Sequence, residues 1–315
     1  MSITYREFRT GDLQQIANLT EIAMPRDVVS AKRFAQEVLL DVNFAPNGLI
    51  VATDDHKIIG FIYATRAEKG VPSQPHMGYI TIGCVHPDYQ RQGIGTQLIS
   101  RAMNHLRERG ASHITVAGYP QGYFFPGVDE STYPHVVPLL ERHGFERAGE
   151  AAAMHIDLDA YITPPAAQNL IARRQEEGYT FSTANWDDLP ELISFASERL
   201  APDWGEILRA AALQGTQGGD RVLFSREPNG SIVGFATYGA VGEIVDRFGP
   251  FGVDENYRGT GLGRVLLHAT LTRMRAENAH GAWFLWTGED SPAGHLYLSS
   301  GFEVVRRFTV LRASL

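Results

Sequence analysis

Over residues 3–8 (ITYREF) apolar and polar side chains alternate with the period of a half-buried strand; from Asp12 the spacing lengthens to that of an amphipathic helix, DLQQIANL. The same change of period recurs at residues 179–196, YTFSTANWDDLPELISFA. Asp12 in the first stretch, and Asp187 or Asp188 in the second, stands where a helix cap is expected. Apolar runs of strand length follow: GLIVAT, KIIGFIYAT and YITIGCV in the first half, RVLFSR, SIVGFATYG and IVDRFGPFGV in the second. Each third run enters a glycine-rich turn and then a long helical stripe. One further strand (HITVAG or AWFLWT) follows, and a Gly-Phe-Glu at 144–146 or 301–303 starts the last strands of each half.

The order repeats, with drifting offsets. Gln90 and Arg258 lie 168 positions apart, whereas Gly144 and Gly301 lie 157 apart, as expected of a duplicated domain with different loops. Between the halves, TPPAAQNLIARRQEEG reads as a linker helix with Thr163 as N-cap, Pro164 at its first position and Gly178 just past its end. The expected division is residues 1–160, a linker at 161–178, and residues 179–315. The fold class is α/β (α+β): two tandem domains, each a mixed, mostly antiparallel sheet flanked by helices.

Composition narrows the setting. A chain of 315 residues, 43% hydrophobic and 20% charged, is long enough for two ordinary cores. A net charge of −8 argues against a nucleic-acid partner and leans weakly toward a cationic or amine substrate. Cys84 is the single cysteine, which excludes an internal disulfide and suits a reducing cytosol. The start, MSITYREFRTGD, has no apolar signal region, and no run reaches the roughly 20 apolar residues that span a bilayer. A soluble cytoplasmic protein without a membrane partner is expected.

The chemistry concentrates in the turns. Gln90-x-x-Gly93-x-Gly95 is repeated as Arg258-x-x-Gly261-x-Gly263, each between a strand and a helix. There, backbone N–H groups converge at the positive end of a helix dipole, and glycine lets an anion approach them. Arg258, and Arg91 in the first copy, would add a cationic arm to a phosphate or pyrophosphate site. The commoner phosphate loops are excluded by counting. A G-x-G-x-x-G fingerprint begun at Gly259 or Gly261 ends on Arg264 or Leu266, and Gly-Lys-Ser/Thr is absent.

With VHPDYQRQGIGTQLI at 85–99, VDENYRGTGLGRVLL at 253–267 and LYLSSGF at 296–302, the chain resembles a tandem member of the GNAT (GCN5-related) N-acetyltransferase superfamily. The resemblance covers almost the whole chain outside the linker. It implies that the loops hold the pyrophosphate of acetyl-CoA, through Val85, Gln90, Arg91, Gly93, Gly95 and Thr96, and through Val253, Arg258, Gly259, Gly261, Gly263 and Arg264. It also implies that the pantetheine arm lies where strand 80–85 parts from 113–118, and 245–253 from 282–287. The plan of unequal halves is similar to that of the mycothiol synthases. A non-catalytic acyl-CoA-binding or regulatory protein is the alternative from another class.

In many members of the family a tyrosine four residues before the final Gly-Phe protonates the leaving thiolate. Tyr297 stands there in the second half and Leu140 in the first, so the resemblance places catalysis in the second half. Glu243 is the chosen general base, with Asp246, Glu289 and Asp290 as further carboxylates nearby. The long aromatic connection GYPQGYFFPGVDESTYP (118–134) reads as a lid, a pocket wall, or a plug against the other domain. Cys84, Trp283 and Trp286 read as core and His86 as a surface turn residue; no cluster has metal-ligand spacing, so no metal is expected. The amine acceptor, small molecule or peptide, is not named by the sequence, and a homodimer is left open.

Overall fold

The computed structural model describes residues 3–71, 74–214, 219–242 and 244–315. The apolar runs of the first half pair as antiparallel neighbours in the order β1 (Ile3–Glu7), β2 (Leu49–Asp54), β3 (Lys57–Thr65) and β4 (Met77–Val85). β2 is buried on both faces because α1 (Asp12–Ala23) and α2 (Ala31–Phe34) cover one side and α3 (Ile94–Glu108) the other. Leu49 and Val51 join Ile16, Leu19 and Phe34, while Ile50 and Ala52 join Leu98, Ala102 and Leu106. β5 (His113–Val116) runs parallel to β4 as far as the pair Ile80–Val116, and α4 (Val136–Glu141) follows. One extra residue in β4, Thr81, shifts the register against β3 where β4 and β5 part.

β6 (Glu146–Asp157) leads to α5 (Pro165–Glu176), a helix where one was expected. It caps at Pro164, not Thr163, because a residue before proline is pushed out of helical conformation, and Pro165 takes the first position. Gly178 follows its end at φ 91°, as expected. Then β7 (Thr180–Thr183), β8 (Val222–Arg226), β9 (Ile232–Tyr238) and β10 (Phe248–Val253) pair antiparallel in that order. α6 (Leu189–Phe195) and α7 (Pro202–Gln214) pack on one face through Leu192, Phe195 and Leu208. α8 (Leu262–Ala276) packs through Leu266, Leu267 and Leu271 into a separate cluster. β11 (Gly281–Thr287) meets the residue before β10 in a parallel bridge, Arg247 to Trp283. α9 (Pro292–Ser299) and β12 (Glu303–Ser314) complete the chain. β10 carries its own extra residue between Phe248 and Phe251.

The chain changes compact units inside two strands. One unit comprises Met1–Ala151 with Arg307–Leu315, the other Ala152–Arg306. β6 begins in the first, and its residues 152–157 pair antiparallel with β11 in the second. β12 begins in the second, and its residues 311–314 pair antiparallel with β5 in the first. Each half-chain therefore gives the end of its final strand to the other unit.

Candidate functional site

The two glycine loops are built alike. After β4 the turn Pro87–Tyr89 is capped by His86, whose Nδ1 accepts the Asp88 N–H at 3.2 Å. After β10 the turn Glu255–Tyr257 is capped by Asp254, whose carboxylate accepts the Asn256 N–H at 2.9 Å. His86 is thus a buried cap and not the surface residue expected. The backbone then passes through left-handed residues: Arg91 (φ 61°) and Gly93 (φ 81°) in the first copy, Gly259 (φ 78°) and Gly261 (φ 88°) in the second. The first helical bonds run from Gln97 N–H to Gly93 C=O and from Val265 N–H to Gly261 C=O. The N–H groups ahead of them have no intrahelical partner and lie at the positive end of the dipole.

These residues fit an anion. Nothing lies within 4 Å of where a Cβ would sit on Gly93 or Gly259, so the backbone is approachable there. At Gly95 a Cβ would press on Leu139 at 3.1 Å, whereas at Gly263 it would make an ordinary contact with Leu296 at 3.4 Å. Gln90 turns back to donate to the Val85 carbonyl at 3.0 Å, and an Arg91 nitrogen lies 3.1 Å from His135 Nδ1. Thr96 is exposed on the first turn of α3, and Val85 is half-buried at the end of β4. In the second copy Val253 is half-buried, Arg258 is exposed, and Arg264 donates to Ser299 Oγ at 2.9 Å.

The copies differ at the helix after the next strand. Leu140, on α4, is buried with Phe145 and Leu311 in a mainly aliphatic core. Tyr297, on α9, sits in an aromatic cage, with ring centroids 4.4 Å from Phe284, 5.3 Å from Phe302, 6.0 Å from Phe251 and 6.2 Å from Phe248. Phe248 and Phe251 come from β10 and Phe284 from β11, the two strands that part. Its hydroxyl has no hydrogen-bond partner among the described residues, and burial alone makes it a much weaker acid than an ordinary tyrosine. The cage was not foreseen; four phenylalanines near one tyrosine read as core until the strands are paired.

Glu243 lies outside the described residues. Asp246 is half-buried and its carbonyl accepts the Trp283 N–H at 2.9 Å; Asp290 is exposed. Neither tryptophan is the core residue expected: Trp283 is half-buried with Arg247 over its ring at 4.9 Å, and Trp286 is 42% exposed, because an irregularity after Phe284 rotates it outward. Residues 118–134 pack into their own unit. Tyr119 donates to Asp41 at 3.0 Å, Phe124 stacks on Phe34, and Tyr133 donates to Asp27 at 2.7 Å. Cys84 is half-buried and packs against the core without being part of it, short of the buried position expected; desolvation pushes its thiol up. Among the described residues no cluster of side chains fit to hold a metal comes together, and no helix is long and apolar enough to cross a membrane.

Comparison with known proteins agrees with this geometry. The Acetyltransferase (GNAT) family profile matches residues 14–125 and 168–302. The uncharacterized N-acetyltransferase YjhQ of Escherichia coli (strain K12) is 33% identical over 149 residues, 45% of this chain and 82% of its own. A mycothiol acetyltransferase of Nocardiopsis dassonvillei is 25% identical over 311 residues, 92% of this chain and 89% of its own. A solved GCN5-related N-acetyltransferase from Sphaerobacter thermophilus, 18% identical, superposes with a TM-score of 0.72, covering 99% of this chain and 95% of its own. A tandem GNAT protein from the clavulanic acid biosynthesis pathway, 16% identical, does so with a TM-score of 0.66, covering 99% and 98%.

Proposed function

The chain belongs to the acetyltransferase (GNAT) family, and from that premise we propose that it moves an acetyl group from acetyl-CoA to a primary amine, with catalysis in the second unit. The observation that carries this reading is the contrast between caged Tyr297 and aliphatic Leu140 at one position of the two halves. Acetyl-CoA, when bound, supplies an acyl group activated as a thioester. The N–H groups around Gly259–Gly263, with Arg258, hold its pyrophosphate. The Tyr297 hydroxyl stays protonated, and with no partner among the described residues its O–H is placed to donate to the leaving sulfur. Glu243 is the proposed base that draws the proton from the amine.

The open backbone at Gly93 supports a second acetyl-CoA in the first unit, held without turnover. The mycothiol acetyltransferase likeness runs through both halves, which favours a small-molecule acceptor of that kind over a peptide.

The test is acetyl-CoA stoichiometry by calorimetry on the full chain and on Gly93→Asp and Gly259→Asp. Aspartate tolerates the left-handed region and brings a negative charge into the phosphate cradle. Two molecules bound per chain are expected, one in either variant, with acetyl transfer lost only in Gly259→Asp. Transfer that survives Gly259→Asp and fails in Gly93→Asp overturns the placement of catalysis. Binding at both loops with no transfer to any amine favours a binding protein.

A further inference from the structure

The second glycine loop has a neighbour that the first lacks. The segment through α5 runs alongside α8. Tyr161 OH bonds His268 Nδ1 at 2.6 Å and Thr163 bonds Thr272 at 2.7 Å near one end, while Leu170 and Arg174 reach the glycine loop at the other. Leu170 Cδ2 lies 2.8 Å from where a Cβ on Gly261 would sit. The Arg174 guanidinium donates to the Thr260 carbonyl and pairs with Glu177, while its Nε–H is buried without an acceptor among the described residues. An unmet buried donor is a cost that an ordinary surface ion pair does not carry. At Gly93, by contrast, nothing lies within 4 Å.

We propose that Arg174, seated by Leu170, is a positioning residue that aims the second loop's N–H groups at the pyrophosphate. The Thr260 carbonyl and the Gly261 N–H belong to one planar trans peptide and point in opposite directions. Fixing the carbonyl toward α5 therefore turns the Gly261 N–H away from α5. On its C-terminal side that plane is flanked by left-handed Gly261, which has no Cβ to resist its rotation. A donor fixed before the ligand arrives loses less entropy on binding.

This inference rests on the reading that the second loop binds acetyl-CoA, and the experiment separates the two. In a Gly93→Asp background, so that only the second loop is read, acetyl-CoA is titrated into Arg174→Ala, Arg174→Lys and Leu170→Ala chains. Expected are about tenfold weaker binding in Arg174→Ala, part of it recovered in Arg174→Lys, and a rise in KM for acetyl-CoA with kcat unchanged. Leu170→Ala should fall between them, and all three should melt cooperatively. Wild-type affinity in Arg174→Ala, with binding still abolished by Gly259→Asp, overturns the inference and leaves the reading standing. No binding at the second loop before any change to α5 overturns both. If Arg174→Ala weakens binding and Arg174→Lys restores none of it, carbonyl anchoring is refuted.

Discussion

A tyrosine in water loses its proton at about pH 10. Around Tyr297 the phenylalanine rings make a phenolate far more costly, so the hydroxyl is protonated wherever the protein is folded. Tyr297→Phe should keep the cage and the melting temperature while lowering kcat by about 10²–10⁴, the usual worth of a placed acid. Steady-state kinetics with KM for acetyl-CoA unchanged would bear this out, and an unaltered kcat would refute it. His268 offers a second test. Burial lowers its pKa from 6.5 to about 4 in the folded chain, and its Nε2 is buried without a partner among the described residues. The unfolded chain then takes up a proton that the folded chain refuses. The contribution of His268 to stability is complete above pH 6.5 and is lost toward pH 4, by up to about 3 kcal/mol. Urea unfolding at pH 7 and pH 4.5 should show a smaller loss in His268→Gln than in the wild type. At this scale the sequence was informative where a residue holds a fixed offset from a motif, as Tyr297 does from Gly301. It was silent where exposure depends on one irregular pairing, as for Trp286.

The glycine loops were legible because a left-handed backbone between a strand and a helix demands a residue type that stands out. The seat of α5 was not. Of its residues only Ala167 is fully buried, so no apolar stripe announces which helix it meets. The contrast between the loops can be read as stability. Gly93→Ala and Gly261→Ala both force a Cβ into the left-handed region, at about 1–2 kcal/mol. Only the second also drives a Cβ to 2.8 Å from Leu170, which adds about 1–3 kcal/mol of overpacking. Gly261→Ala should therefore melt several degrees below Gly93→Ala, and Leu170→Ala should recover part of the difference. Equal melting temperatures would mean that α5 gives way without cost.

Across the whole molecule, the repeat of strands and helices was readable from periodicity, and the crossing of β6 and β12 was not. Alternation marks a strand and its faces but not its partner. Val310, Leu311 and Ala313, at the end of the second half, are 8%, 0% and 6% exposed and belong to the first unit. Deleting residues 307–315 should expose one edge of β5 and open the first unit's core. Amide exchange would then show lost protection in β4, β5 and α3 while β8, β9 and α8 keep theirs. Unchanged protection in the first unit would count against the crossing. On the ribosome this connection becomes a delay. Residues 1–151 emerge early, yet the stretch that pairs with β5 emerges only after residues 152–306, roughly 10–30 s later at ordinary elongation rates. For that interval β5 presents an unpaired edge to neighbouring nascent chains, so the half made first is the half that depends on chaperones.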